Sequence, residues 1–101
     1  MPAGNAPFTP AQNATVTLSA TQANTQGTLT VQSGQIRIYN AGTNKAFVRW
    51  GTGAQTATTA DMPIAPGTVE SFSKPPADLG IAAICSTGET ATLYFTPGEG
   101  A

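Results

Sequence analysis

Histidine is absent from this chain of 101 residues, and cysteine occurs only once. Without histidine, the sequence cannot build histidine acid–base pairs, Cys–His nucleophiles or the usual zinc sites. The carboxylates are too few and too dispersed for a catalytic pair or a calcium-binding cluster. They are Asp61, Glu70, Asp78, Glu89 and Glu99. We therefore expect no enzymatic activity, no metal and no cofactor.

Charge and long apolar segments are scarce as well. Four Lys and Arg residues stand against five Asp and Glu residues, which gives a net charge of −1 without the basic surface of a nucleic-acid binder. The longest apolar stretch, residues 79–85, is far shorter than the roughly 20 residues of a membrane-spanning helix. The N-terminus has no basic and apolar segments of a secretory signal. We expect a protein made in the cytosol that binds neither nucleic acid nor membrane.

Short strands dominate what the sequence does contain. Apolar and polar residues alternate with a period of two, and 11 glycines and 8 prolines interrupt the chain. Strands are predicted at residues 14–19, 28–32, 35–40, 46–50, 68–73, 79–85 and 90–96. Their spacing, with turns about every 8 to 12 residues, is typical of sandwiches and barrels. We predict an all-β fold, a small antiparallel β-sandwich that is jelly-roll-like.

The first 13 residues differ in composition from the rest. They contain Pro2, Pro7 and Pro10 among small polar residues, and Phe8 is their only aromatic side chain. This composition favours an extended N-terminal arm over residues 1–13 rather than a packed element. A single sandwich domain would then span residues 14–101. Phe8 is expected to anchor the arm on a neighbouring molecule.

The most informative segment lies on either side of residues 41–45, which are predicted to be a hairpin loop. In that register Arg37 faces Arg49, and Tyr39 faces Phe47, on the side away from the core. Two directly opposed arginines are unfavourable unless an anionic group lies between them. The sequence therefore predicts an anionic partner for this pair.

Three sources of that partner remain open. Glu70 or Asp61 of the same chain is one, a protein surface is the second, and nucleic acid is a weaker third. Arginine and aromatic residues are enriched in protein interfaces. The candidate interface residues are Phe8, Arg37, Tyr39, Phe47 and Arg49. Residues 51–60, which carry no large side chain, are expected to become ordered on contact with a partner.

Several short motifs resemble those of a known group of proteins. They are Ile-Arg-Ile-Tyr-Asn-Ala-Gly (36–42), Ala-Phe-Val-Arg-Trp-Gly (46–51), Thr-Thr-Ala-Asp-Met-Pro-Ile-Ala-Pro-Gly (58–67) and Ala-Thr-Leu-Tyr-Phe-Thr-Pro-Gly-Glu-Gly (91–100). Over about residues 35–100 the chain resembles small structural proteins of tailed double-stranded DNA bacteriophages. It is similar in particular to the capsid decoration, or cement, proteins of the Bordetella phage type.

This resemblance implies a protein on the exterior of the virion that binds across neighbouring major capsid protein subunits. It also implies a homo-oligomer on the capsid surface, with a dimer as one form. A tail or spike component is the alternative, because related sandwiches also bind receptors or carbohydrates. In that alternative, exposed aromatic residues such as Trp50, Tyr39 or Tyr94 would stack on sugar rings.

Overall fold

The computed structural model describes residues 8–100, and the regular structure within them is entirely β. The strands are β1 Thr9–Pro10, β2 Val16–Ala20, β3 Thr25–Thr28, β4 Gln35–Asn40, β5 Ala46–Gly51, β6 Met62–Ile64, β7 Val69–Ser73, β8 Gly80–Ile84 and β9 Ala91–Glu99. The predicted all-β class is therefore confirmed. Residues 8–100 contain no helix of the length and apolar character that crossing a membrane requires.

The strands form two antiparallel sheets that pack against each other. In the five-stranded sheet, β9 pairs with β4 on one edge, and β4 pairs with β7. The other edge of β9 pairs with β2 and, further along, with β1. The four-stranded sheet has the order β3-β8-β5-β6.

The chain moves between the two sheets in the manner of a jelly roll. The five-stranded sheet contains β2, β4, β7 and β9, and the four-stranded sheet contains β3, β5, β6 and β8. Each strand from β2 to β9 therefore lies in the opposite sheet from the strand before it, except that β6 follows β5 in the same sheet and pairs with it. This is the order of an eight-stranded jelly roll, in which β1 only extends the row begun by β2. The predicted jelly-roll-like sandwich is confirmed.

The core follows from the alternation of apolar residues along each strand. Residues at every second position point between the sheets and are almost completely buried; the largest are Leu18, Ile36, Ile38, Val48, Ile64, Ile81, Leu93 and Phe95. Trp50 and Phe72 pack against this core from opposite sheets, with their ring centroids 5.4 Å apart. The remaining positions of each strand point outward and create two outer faces.

The predicted hairpin around residues 41–45 is wrong. β4 belongs to the five-stranded sheet and β5 to the four-stranded sheet, so this connection turns a corner between sheets. The buried Asn40 side chain holds the corner: its amide donates to the Asn44 and Ile64 carbonyl oxygens, and its Oδ1 accepts from the Gly42 N–H. Alternation assigns a residue to the inner or outer side of a strand but does not choose the neighbouring strand.

The predicted strand at residues 28–32 is displaced. The observed strand β3 ends at Thr28 and pairs with β8 through backbone hydrogen bonds, although its outward and inward residues show no apolar alternation. Leu29 is buried just beyond the strand, where its N–H donates to the Leu79 carbonyl oxygen. The prediction followed the apolar residues, whereas pairing with β8 selected the preceding polar segment.

The predicted N-terminal arm lies only partly within the described residues. Residues 1–7 lie outside them. Thr9 and Pro10 pair with β9 of the same chain, and the Ala11 N–H donates to the Pro97 carbonyl oxygen at 2.9 Å. Thr9 and Pro10 thus lie along the edge of their own sheet, whereas Gln12 and Asn13 form a turn.

Candidate interaction surface

The candidate residues lie on two different sides of the molecule. Arg37 and Tyr39 alternate with buried residues of β4 and point outward from the five-stranded sheet. Phe47 and Arg49 point outward from the four-stranded sheet, because Val48 between them belongs to the core. The predicted opposition of Arg37 and Arg49 is therefore wrong, since the two strands do not pair.

A row of four side chains crosses the five-stranded sheet in register. Tyr39 lies between Val69 on β7 and Tyr94 on β9, and Tyr94 lies beside Thr17 on β2. The two tyrosine rings stack with centroids 5.9 Å apart and an interplanar angle of 17°. Val69, Tyr39 and Tyr94 are 52%, 40% and 37% exposed. The row thus places a continuous apolar strip in solvent.

Arg37 occupies the next position along β4 on the same face. Its Nε donates to the Ser71 Oγ at 3.0 Å, and its Cζ lies 4.4 Å from the centroid of the Phe8 ring. The Phe8 ring itself rests on Gly98, where any Cβ would overlap the ring. Phe8 therefore contacts its own domain and holds one side of the Arg37 guanidinium; its contact with a neighbouring molecule stays a prediction.

The outward surface of the five-stranded sheet carries no carboxylate among the described residues. Glu70 and Glu99 alternate with these outward residues, so each lies on the same side of its strand as the inward-facing Phe72 and Pro97. The outward side chains of β2, β4, β7 and β9 are Thr17, Ser19, Gln35, Arg37, Tyr39, Val69, Ser71, Ser73, Thr92, Tyr94 and Thr96. We call this surface, together with Phe8, the open face.

Arg49 on the opposite side has a carboxylate partner within residues 8–100, whereas Arg37 has none there. Its Nη1 lies 3.6 Å from Asp61 Oδ1, and its Nε donates to Gln55 Oε1 at 3.0 Å. Asp61 also accepts a hydrogen bond from the Thr58 N–H at 2.8 Å. Of the two carboxylates predicted to answer the arginines, Asp61 is therefore a partner of Arg49, whereas Glu70 forms no ion pair within residues 8–100.

Residues 51–60 lie against this second outer face. Asn24 accepts a hydrogen bond from the Ala57 N–H at 2.7 Å and donates to the Gln55 carbonyl oxygen at 3.3 Å. The Gly53 carbonyl oxygen approaches β8 so closely that any Cβ on Gly80 would overlap it. These contacts place the segment against its own sheet; its ordering on contact with a partner stays a prediction.

The centre of this face is correspondingly buried. Phe47 is 9% exposed and pairs with Pro63 on one side and Ile84 on the other, and Ala82 is fully buried. The Lys45 Nζ lies 5.9 Å from the centroid of the Phe47 ring. We call the outward surface of the four-stranded sheet the covered face.

Two titratable side chains are buried. Lys74 follows β7 and donates from Nζ to the Ser33 carbonyl oxygen at 3.0 Å; burial lowers its pKa, and the charges of Asp78 and Glu99 offset part of that effect. Burial likewise raises the pKa of the Cys85 thiol. A buried thiol with a raised pKa stays protonated at neutral pH.

The surface pockets of the described residues are shallow and are lined by few charged side chains. One of about 380 Å³ lies among small and hydroxyl side chains at Ala20, Gly42 and Thr90. Another of about 280 Å³ lies beside Arg49 and Asp61, which already bind each other. Within the described part of the chain, no three His, Cys, Asp or Glu side chains come together as a metal site would require.

Sequence reasoning left Tyr94 out of the candidate interface. The motif Leu93-Tyr94-Phe95 carried the necessary signal, because Leu93 and Phe95 point inward and Tyr94 must then point outward. Its stacking on Tyr39 depends on the pairing of β9 with β4, which the sequence pattern does not contain. Trp50, by contrast, packs against the core and Phe72.

Comparison with known proteins identifies neither a family nor a function for this surface. The chain matches no protein-family model, and no curated protein shows significant sequence similarity to it.

Proposed function

We propose that the protein decorates the exterior of a tailed-phage capsid, where it cements neighbouring subunits of the major capsid protein. The motifs within residues 36–100 support this proposal through their resemblance to capsid decoration proteins. The jelly-roll sandwich is consistent with it, since viral capsid proteins often use this fold, although the same fold also serves in lectins.

The observation that carries the proposal is the open face. Val69, Tyr39 and Tyr94 form a contiguous apolar strip that is exposed to water. Exposed apolar strips of this kind commonly mark interaction sites. Tyrosine supplies a large contact area at a small cost in side-chain entropy, and neighbouring hydroxyl groups supply adaptable hydrogen bonds. A capsid repeats its binding site many times, so a homo-oligomer with modest affinity per site would bind through avidity.

Co-sedimentation with capsids tests this function. Purified protein is mixed with expanded capsids that lack decoration, and immature procapsids and isolated tails serve as controls. Saturable binding to expanded capsids alone supports the cement role. Binding to tails alone, or to none of the three particles, contradicts it.

The tail or spike component is the second candidate, and the exposure of Tyr39 and Tyr94 favours it. Sugar-binding aromatics present an open ring face, however, and stacking turns one face of each of these rings toward the other. The neighbours of the two rings in the same row are Val69 and Thr17. The tail arm of the sedimentation experiment separates this candidate from the capsid role.

A further inference from the structure

We infer that Arg37 binds a carboxylate on an acidic protein surface, and that Phe8 and Ser71 are positioning residues that hold its guanidinium. This inference deepens the proposed function by naming the chemistry of the partner surface. It relies on the proposed function for the identity of the partner, whereas the chemistry itself follows from the open face.

The guanidinium of Arg37 is held in place before any partner arrives. The Phe8 ring supports one side of it at 4.4 Å, and the hydrogen bond from Nε to Ser71 restricts its rotation. Within residues 8–100, its two terminal amino groups donate no hydrogen bond. A guanidinium whose free edge carries two parallel donors matches the two oxygens of a carboxylate.

The charges around Arg37 favour the same conclusion. Arg49 shows how this chain neutralises an arginine internally, since Asp61 lies 3.6 Å away. For Arg37 the described residues supply no carboxylate at salt-bridge distance, and its outward cross-strand neighbours are Ser71 and Thr96. A cation on a surface without carboxylates attracts an acidic partner, and the approach of that partner meets no like charge on the open face.

The apolar row beside Arg37 indicates that the carboxylate belongs to a protein rather than to an acidic polysaccharide. Tyr39 and Tyr94 stack on each other, so the face that each ring turns toward the other is not available to a sugar ring. A flat protein surface, by contrast, can cover Val69 and both ring edges while it presents a carboxylate to Arg37. Arginine and tyrosine are also among the residue types enriched in the hot spots of protein interfaces.

The first experiment needs no capsid. The free protein, labelled with ¹⁵N, is titrated with poly-L-glutamate while the Nε–H resonances of Arg37 and Arg49 are followed by NMR. We expect a saturable shift for Arg37 and little change for Arg49, which serves as the control within the same molecule. An equal response of both arginines, or none at Arg37, overturns the inference.

A parallel titration with polygalacturonate distinguishes the two kinds of carboxylate source. We expect a weaker response at Arg37 than with poly-L-glutamate and no change at the tyrosine rings. A stronger response, accompanied by changes at Tyr39 and Tyr94, assigns the face to an acidic polysaccharide and contradicts the inference.

The second experiment measures the affinity of variants for expanded capsids. We expect Arg37→Gln to weaken binding by about 10- to 100-fold and the matched variant Arg49→Gln to have little effect. If the unaltered protein binds no capsid, the proposed function fails, and the poly-L-glutamate titration still decides the role of Arg37. If it binds and Arg37→Gln binds equally well, the capsid role stands and the carboxylate inference fails.

The positioning residues are tested by changes that leave Arg37 in place. Ser71→Ala removes the acceptor of Nε, and Gly98→Ala displaces the Phe8 ring. In the free protein, each is expected to increase the mobility of the Arg37 side chain, measured by relaxation of its Nε–H resonance. Phe8→Tyr should preserve the stack, whereas Phe8→Leu should not. Unchanged mobility in both Ser71→Ala and Gly98→Ala contradicts a positioning role.

Discussion

The two outer faces of this sandwich carry the same kinds of residue and use them differently. Each has an arginine beside an aromatic side chain on a central strand. On the covered face Arg49 binds Asp61 and Phe47 is nearly buried. On the open face Arg37 has no carboxylate partner among the described residues, and Tyr39 is 40% exposed. Residue type alone therefore does not make an interface; the surrounding chain decides whether its charge and apolar area are already satisfied.

The source of the difference is the segment that follows β5. Residues 51–60 fold back over the four-stranded sheet, where they form hydrogen bonds with Asn24, Arg49 and Asp61. No described segment crosses the five-stranded sheet in the same way, apart from Phe8 at one corner. One sheet thus completes its own outer layer, whereas the other has no such layer within the described residues; we propose that a partner covers it.

The largest expected difference between the faces is in stability. Phe47→Ala should lower the free energy of unfolding by about 3 kcal/mol, because it removes a nearly buried ring between Pro63 and Ile84. Tyr39→Ala should lower the free energy of unfolding by only about 1 kcal/mol, since Tyr39 is already 40% exposed and the change removes one stacked pair. Urea denaturation of both variants measures the difference. Equal losses would show that the open face is structural.

The next effect concerns binding. Tyr94→Ser should weaken association with expanded capsids by about 2 kcal/mol, roughly 30-fold, if the apolar row is the centre of the interface. Met62→Ser is the matched control, because Met62 is 37% exposed like Tyr94 but lies on the four-stranded sheet. Sedimentation at a series of protein concentrations gives both affinities. A larger loss for Met62→Ser would place the interface elsewhere.

A third variant should make the covered face resemble the open one. Asp61→Asn removes the ion pair of the exposed Arg49 and should cost no more than about 1 kcal/mol of stability. With its carboxylate partner gone, the Arg49 Nε–H resonance should now shift during titration with poly-L-glutamate. Glu70→Gln, which removes the same charge from β7, is the control. If the Arg49 Nε–H resonance does not shift in Asp61→Asn, the lack of an internal carboxylate partner is not what lets an arginine of this protein bind poly-L-glutamate.

The smallest effect concerns Lys74, which fixes the end of the edge strand of the open face. Because burial lowers its pKa, the folded protein releases this proton at a lower pH than the unfolded chain does. Its contribution to stability therefore rises with pH from the lowered value up to the ordinary value of 10.5. Lys74→Met should remove that rise, which urea denaturation at about pH 8 and about pH 10 can measure. The same pH dependence in both proteins contradicts a lowered pKa of Lys74 in the folded state.

Much of the fold was predictable because it depends on local alternation. The segments at residues 35–40, 46–50, 68–73, 79–85 and 90–96 all overlap observed strands, and the inward sides of β4 and β9 follow directly from their apolar residues. The strand at β3 was misplaced because its pairing uses backbone groups, which every residue carries. The short strand β6 was missed for a related reason, since Pro63 disfavours a strand and only the edge position accommodates it.

The candidate site was predictable residue by residue but not as an arrangement. Arg37, Tyr39, Phe47 and Arg49 do point outward, as the alternation required. Their grouping depended on a hairpin that does not form. Tyr94 and Ser71, which touch Tyr39 and Arg37, lie 55 and 34 positions further along the chain, too far for any local pattern to connect them.

By itself the sequence determined the all-β class, the division of each strand into an inner and an outer side, and the lack of histidine-based chemistry. The tertiary structure decided which strands are neighbours and thereby which arginine meets a carboxylate. The physical reason is that side-chain alternation repeats every two residues and is visible in any short segment. Strand pairing is made by backbone hydrogen bonds between distant segments, and those bonds leave no mark in the order of side chains.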